Sequence, residues 1–210
     1  MTRLRAPVLA KELTPAELTA LDGADVERAR LEGCALARQR ADRVRLEGVH
    51  LVGADVSETR VAALSFLDVR AERCQLSLGE WPAARLTRVE LRDCRLTGAR
   101  WSEATLEDVR LVGCQLDYAS FAGARFHRVA FEQCRMHDTD FGGADLTGTA
   151  FVGCELRGVE FGGAKLGGAD VRSSTLHDVR LAARDVRGLI VNRDQAAVLA
   201  QLFGVVVRER

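Results

Sequence analysis

The chain has 210 residues, of which 47% are hydrophobic and only 5% aromatic, and its 30 basic side chains balance 30 acidic ones. That balance lacks the basic excess of a nucleic-acid binder and the acidic excess of a nucleic-acid mimic, and it leaves few large rings for the core. No apolar run is long enough for a signal peptide or a membrane span, so a soluble cytoplasmic protein is expected, without membrane association or direct nucleic-acid binding.

Residues 1–23 carry their own signals. Thr14 reads as an N-cap, Pro15 as a first helical residue, Glu17 as the far end of a capping box and Gly23 as a stop, which predicts a short helix. A segment of this kind suits an N-terminal cap over the open end of a repeat fold.

From residue 24 to residue 186 the chain repeats every five residues. Large apolar residues mark the centre of each pentad, as in Leu31, Leu36, Leu46, Leu51, Trp81, Leu86, Leu91, Leu96, Trp101, Leu106, Leu111, Leu116, Phe121 and Phe126. Two residues before each centre stands a small or β-branched residue, among them Ala54, Val69, Val89, Ala99, Ala104 and Val109. A period of five fits neither a helix at 3.6 nor a strand at 2. It fits a chain that turns a corner every pentad, with two inward residues per side and polar or glycine corners.

A second period gives the number of sides. Cys74, Cys94, Cys114, Cys134 and Cys154 succeed one another at intervals of twenty, Cys34 lies on the same grid, and Ala54 and Ser174 stand where the series is interrupted or extended. Four pentads therefore make one coil, and equivalent residues stack at i and i+20. Valines at 49, 69, 89, 109 and 129 form another column, and Trp81, Trp101, Phe121, Phe141 and Phe161 a third. Like stacks on like because in-register parallel rungs bring identical side chains together. About eight coils at ~4.8 Å per rung give a rod roughly 38 Å long.

The tandem pattern, clearest in FGGADLTGTAFVGCELRGVEFGGAKLGGAD, resembles the pentapeptide-repeat family. The resemblance implies an all-β solenoid, a right-handed quadrilateral parallel β-helix of about eight coils with short helical N- and C-terminal segments. Residues 187–210 then read as a C-terminal module: Asn192 and Gln195 at capping-box spacing, a helix with a broad apolar face, a stop at Gly204, and a strand over Val205, Val206 and Val207 before Arg208, Glu209 and Arg210. In the resembled family such helices form twofold dimer interfaces, which would place Val198, Leu199, Leu202 and Phe203 between two copies. The other reading is that the helix only caps the last coil.

The residues that carry chemistry elsewhere read here as structure. The cysteines point inward as a reduced packing ladder; parallel side-chain vectors disfavour disulfides, and no tetrahedral metal arrangement is available. His50, His127, His137 and His177 fall at outward positions, with His137 and His177 two rungs apart and too far to share a metal. No phosphate loop, carboxylate pair or nucleophile motif is present, so no cofactor, no metal and no catalysis is expected.

Outward columns alternate in sign instead: Asp68, Arg88, Asp108 and Arg128 form one, Arg70, Glu90 and Arg110 a second, Arg60, Glu80 and Arg100 a third, with Arg73 over Asp93 and Arg135 over Glu155. Opposite charges on adjacent rungs hold register. Some members of the resembled family bind DNA gyrase or topoisomerase IV and protect them from inhibitors as acidic rods that imitate DNA. In this chain Asp138, Asp140, Asp145 and Glu160 are the residues that would form a partner-facing acidic surface. The resemblance thus implies a non-enzymatic protein-binding rod, a homodimer with a type II topoisomerase as partner; the competing reading is a structural scaffold or self-assembling rod with another partner.

Overall fold

A computed structural model describes residues 4–208. The chain winds as a parallel β-solenoid of about 8 turns closed by one short C-terminal helix. The register is uniform: Val69 pairs with Val89, Val89 with Val109 and Val109 with Val129, always twenty residues on. Parallel bridging at this offset continues to Asp170 and Ile190, four residues beyond the expected boundary at 186.

The corners arise from the pentad. The carbonyl of the central residue accepts from the amide three residues on, as Phe121 does from Ala124 at 3.0 Å and Phe161 from Ala164 at 2.9 Å. The third residue of each such turn has positive φ, which a type II turn requires. Every non-glycine residue with positive φ, from Arg28 (φ 51) to Asp178 (φ 50), occupies this one position of the pentad.

Inward positions are filled by side chains along the whole coil. Two aromatic columns run through the later turns: Phe121, Phe141 and Phe161 stack with ring centroids 5.4 and 5.6 Å apart, and Phe131 stacks on Phe151 at 5.1 Å. The columns meet edge to face, as Phe141 and Phe151 do at 6.0 Å and 85°, the arrangement aromatic quadrupoles favour. The first turns are filled mostly by aliphatic residues and keep an apolar cavity of ≈ 40 Å³ lined by Leu36, Leu46, Leu51, Ala54 and Val56, with Phe66, Trp81 and Trp101 also on its wall.

Two expectations at the ends are overturned. Thr14–Ala16 is a β-strand, not the start of a helix. It pairs in parallel with Ala29–Leu31 at an offset of fifteen, one side shorter than every later rung. A helix of so few residues has a costly nucleus, whereas the first rung offers an open backbone edge to pair with. Leu18 and Leu21 then fold across the mouth of the lumen, held by Gln39, whose side chain accepts from the Leu21 amide at 2.8 Å and donates to the Thr19 carbonyl at 3.1 Å. The predicted strand over Val205–Val207 is likewise absent: these residues are irregular and exposed, with no rung beside them to complete a ladder. The end of that predicted tail, Glu209 and Arg210, lies outside the described residues.

The C-terminal helix is Arg193–Leu202, opened by the capping box that the sequence predicts: Asn192 accepts from the Gln195 amide and Gln195 reaches back to the Asn192 amide, both at 2.9 Å. The buried Gln195 side chain also donates to the carbonyls of Val171 and Ser174, at 2.7 and 2.6 Å. The helix thereby satisfies the Ser174 carbonyl, which the last rung would leave open, and adds a second donor to the Val171 carbonyl, which already accepts from the Ser174 amide at 2.9 Å.

Candidate functional surfaces

The cysteine column lies inside. All six thiols are buried and free. Each later one donates to a carbonyl of the preceding turn, Cys94 to Ala71, Cys114 to Leu91 and Cys134 to Leu111, all at 3.5 Å. Ser174, at the end of the same column, does the same to Phe151 at 2.9 Å, and Thr139, at another inward column, to Leu116 at 2.8 Å. The position takes a small donor that feeds the coil's carbonyls. Hydrogen bonding to Cys134, then to Cys94, and then burial push Cys114 well above the ordinary thiol value, so it is held protonated and unreactive. Among the described residues no group of acidic, histidine and cysteine side chains could hold a metal ion.

Of the histidines, His127 and His177 are exposed and His137 half-buried, 3.5 Å from Glu155. His50 is more covered than an outward position suggests, set between Arg30 at 3.3 Å and Glu72 at 3.3 Å. Long neighbours on adjacent rungs close over it.

Asp140 and Glu160 are register partners in one column with Asp138 close by, whereas Asp145 lies in a different column, and each is already engaged. Arg180 bridges Asp138 at 3.6 Å and Glu160 at 3.3 Å. Asp140 accepts from Ser120 at 3.0 Å and from the Gly142 amide at 2.8 Å. Asp145 sits 3.3 Å from Lys165 and accepts from the Thr147 hydroxyl at 2.7 Å, and these hydrogen bonds, the hydroxyl first, hold its carboxyl below the usual range. Asp138, Asp140 and Glu160 cluster around Arg180, which offsets their charge, and Asp145 stands apart beside Lys165.

The charge ladders form in part as read. Arg60 meets Glu80 at 3.1 Å, Arg88 meets Asp68 at 2.6 Å, Arg70 meets Glu90 at 3.7 Å and Arg128 meets Asp108 at 2.7 Å. Others lean across the rung: Arg110 pairs with Glu132, Arg135 with Asp117 and Arg73 with Glu72. Arginine is long enough to choose a diagonal partner, so the column alone does not name its pair.

The dimer residues divide. Leu199 is buried against the end of the lumen, beside Phe161, Leu166 and Leu181. Val198 is half-buried, whereas Leu202 and Phe203 are 45% and 36% exposed and continue into the exposed Val205–Val207. Helix periodicity shows one apolar face, and the structure splits it between cap and surface.

Two surface residues escaped the sequence reading. Leu78 and Tyr118 are large, more than half exposed, and stand at corners with φ of 58°. Between them is Gly98, where an added Cβ would meet a Leu78 methyl at 2.8 Å, so Leu78 lies across the glycine. The signal was available: a bulky apolar residue at the corner position of a pentad violates the repeat.

Residues 84–161 match the family model described as pentapeptide repeat region. This chain carries a pentapeptide-repeat region. The four-sided coil runs on without a break in register to either side of the matched stretch. No curated protein matches the chain. Among solved structures, full-length QnrB1, a plasmid-mediated fluoroquinolone resistance protein, is 18% identical over 91% of this chain and 100% of its own, with a TM-score of 0.46. A pentapeptide repeat protein of the Arabidopsis thaliana thylakoid lumen is 21% identical over 60% of this chain and 71% of its own, with a TM-score of 0.26. The pentapeptide repeat protein Rfr23 of the cyanobacterium Cyanothece is 16% identical over 54% and 64%, with a TM-score of 0.17.

Proposed function

We propose that the chain is a non-catalytic, cytoplasmic, protein-binding rod that acts as a homodimer on a type II topoisomerase, DNA gyrase or topoisomerase IV, and shields it from inhibitors. The observation that carries the binding role is the filled lumen: inward positions are packed with buried side chains, so the rod meets its surroundings through ladders and corners alone. The partner class comes from the repeat family that residues 84–161 match. Because the acidic residues are tied to Arg180, Lys165 and Ser120, recognition here rests on shape and on apolar corners such as Leu78 and Tyr118 more than on a continuous negative field. Dimerisation uses Val198, Leu202 and Phe203, while Leu199 serves the end of its own coil.

A supercoiling assay with purified gyrase, with and without a fluoroquinolone, tests the partner. The expected result is altered supercoiling or relief of the poison at micromolar protein. Neither effect, with the rod intact by circular dichroism, returns the chain to the scaffold reading. For the dimer, Leu202→Asp with Phe203→Asp is expected to halve the mass seen by light scattering; a wild-type monomer, or an unchanged dimer in the variant, refutes the interface.

A further inference from the structure

Residues 4–13 leave the coil and run back along its outside. The Val8 amide donates to Asp68 at 2.9 Å and the Arg5 amide donates to Asp108 at 3.1 Å. Each carboxylate is held from below by the arginine of the next rung: Arg88 grips Asp68 through two bonds of 2.6 Å, and Arg128 grips Asp108 at 2.7 and 2.8 Å. These are corner residues, and corner aspartates elsewhere are open: Asp93, Asp138 and Asp178 are exposed with the same positive φ. Asp68 and Asp108 are 9% and 2% exposed because the arm lies over them.

The spacing is matched. Asp68 and Asp108 are two rungs apart, about 9.6 Å at the strand spacing. Arg5 and Val8 are three residues apart, about 9–10 Å in an extended or polyproline-like chain. Pro7 stands between them, where no amide is called upon, and Leu4 and Pro7 are half-buried while Val8 is 70% exposed. The column therefore reads backbone amides at every third residue and leaves the side chain of Val8 out. The Arg5 guanidinium adds its charge beside Asp108, and Glu107, which meets Arg128 at 2.6 Å, keeps acidic groups in the majority around the track.

We infer that the corner column of Asp68, Arg88, Asp108 and Arg128 is a receptor for an extended, basic, proline-containing segment of a partner protein, and that residues 5–8 occupy it in cis as an internal competitor. Oriented carboxylates at a fixed two-rung interval select an extended chain by its main-chain donors, as a sheet edge does, without requiring a strand beside it. The tether gives the arm a high effective concentration, so an incoming segment must outbind it. The inference stands whether or not the rod acts on a topoisomerase.

The test uses the full chain. Arg5→Pro with Val8→Pro removes both donated amides at exposed arm positions and leaves the track untouched. A labelled, acetylated peptide of residues 4–12 is expected to bind this variant at least about tenfold more tightly than it binds the wild type. The same peptide N-methylated at its Arg5 and Val8 amides is expected to lose about tenfold or more. Trypsin cleavage after Arg5 is expected to be about tenfold faster in Val8→Pro than in the wild type, reporting arm release independently of any ligand. Failure of the variant to bind the peptide, equal binding of the methylated peptide, or unchanged cleavage overturns the inference. A new species containing both chains on mixing variant and wild type, absent from either alone, would reassign the track to the arm of a second copy and overturn the partner assignment.

Discussion

The turns spanning residues 24–80 and those spanning 121–171 are the same coil built with different means. The later turns place glycine at corners, Gly143, Gly148, Gly153, Gly158, Gly163 and Gly168, all with positive φ, and fill the lumen with two stacks of phenylalanine. The earlier turns put Arg28, Arg38, Glu58, Asp68, Arg73 and Leu78 at the same backbone angle and fill the lumen mostly with aliphatic side chains, around a cavity that Phe66 and Trp81 also line. A non-glycine residue in the left-handed region costs roughly 1 kcal/mol. The compensation in the first half lies outside the coil, in cross-rung ion pairs and in the N-terminal arm. Backbone register is therefore the invariant of the fold, and side chains are two interchangeable ways of supporting it.

The contrast can be broken by removing a ring. Phe141, fully buried between Phe121 and Phe161, makes aromatic contacts to both and to Phe126, Phe131 and Phe151. Phe141→Ala is expected to cost about 3–5 kcal/mol in chemical denaturation, whereas Leu51→Ala, beside the existing cavity, falls near the lower end of the large-to-small range at about 2 kcal/mol. Equal losses would mean that the two lumens are packed alike.

The corners supply a smaller test with a change of sign. Gly163 has φ of 71° and space for a methyl group, so Gly163→Ala is expected to lose about 1 kcal/mol through backbone strain alone. Ala83 has φ of 53° and is exposed, so Ala83→Gly is expected to gain about 0.5 kcal/mol. Shifts of the same sign in the two variants would remove the strain argument.

The smallest effect repairs a column. Ala54 interrupts the cysteine series and lines the cavity. Ala54→Cys adds volume there and, by the pattern of its neighbours, places a thiol at the carbonyl of Leu31. A gain of about 0.5–1 kcal/mol is expected from the melting midpoint; a loss would show that the cavity is already closed to a sulfur atom.

The coil was legible because its information is periodic. The spacing of Cys74 to Cys154 and the buried centres state the side count, the register and which residues face inward. The capping box of Asn192 and Gln195 was legible for a similar reason, being a local rule that spans four residues. Residues 14–23 misled because Thr14, Pro15 and Glu17 satisfy a helix-start rule that ignores the unpaired rung beside them. The arm was invisible because Asp68 and Asp108 recognise amides, which every residue but proline carries. Leu199 and Leu202 lie on one helical face, and only the position of the last coil tells which of them it covers.

A coil whose rungs fit one another this well has no internal reason to stop. At one end the exposed edge strand contains Pro15, which has no amide to offer a further rung. At the other, Gln195 occupies the Ser174 carbonyl, which the amide of a next rung would have taken. Each pole thus lacks a hydrogen bond that a further rung would make, which disfavours end-on growth of copies of this rod into a fibre. Pro15 and Gln195 act against end-to-end association of the coil at its two open faces.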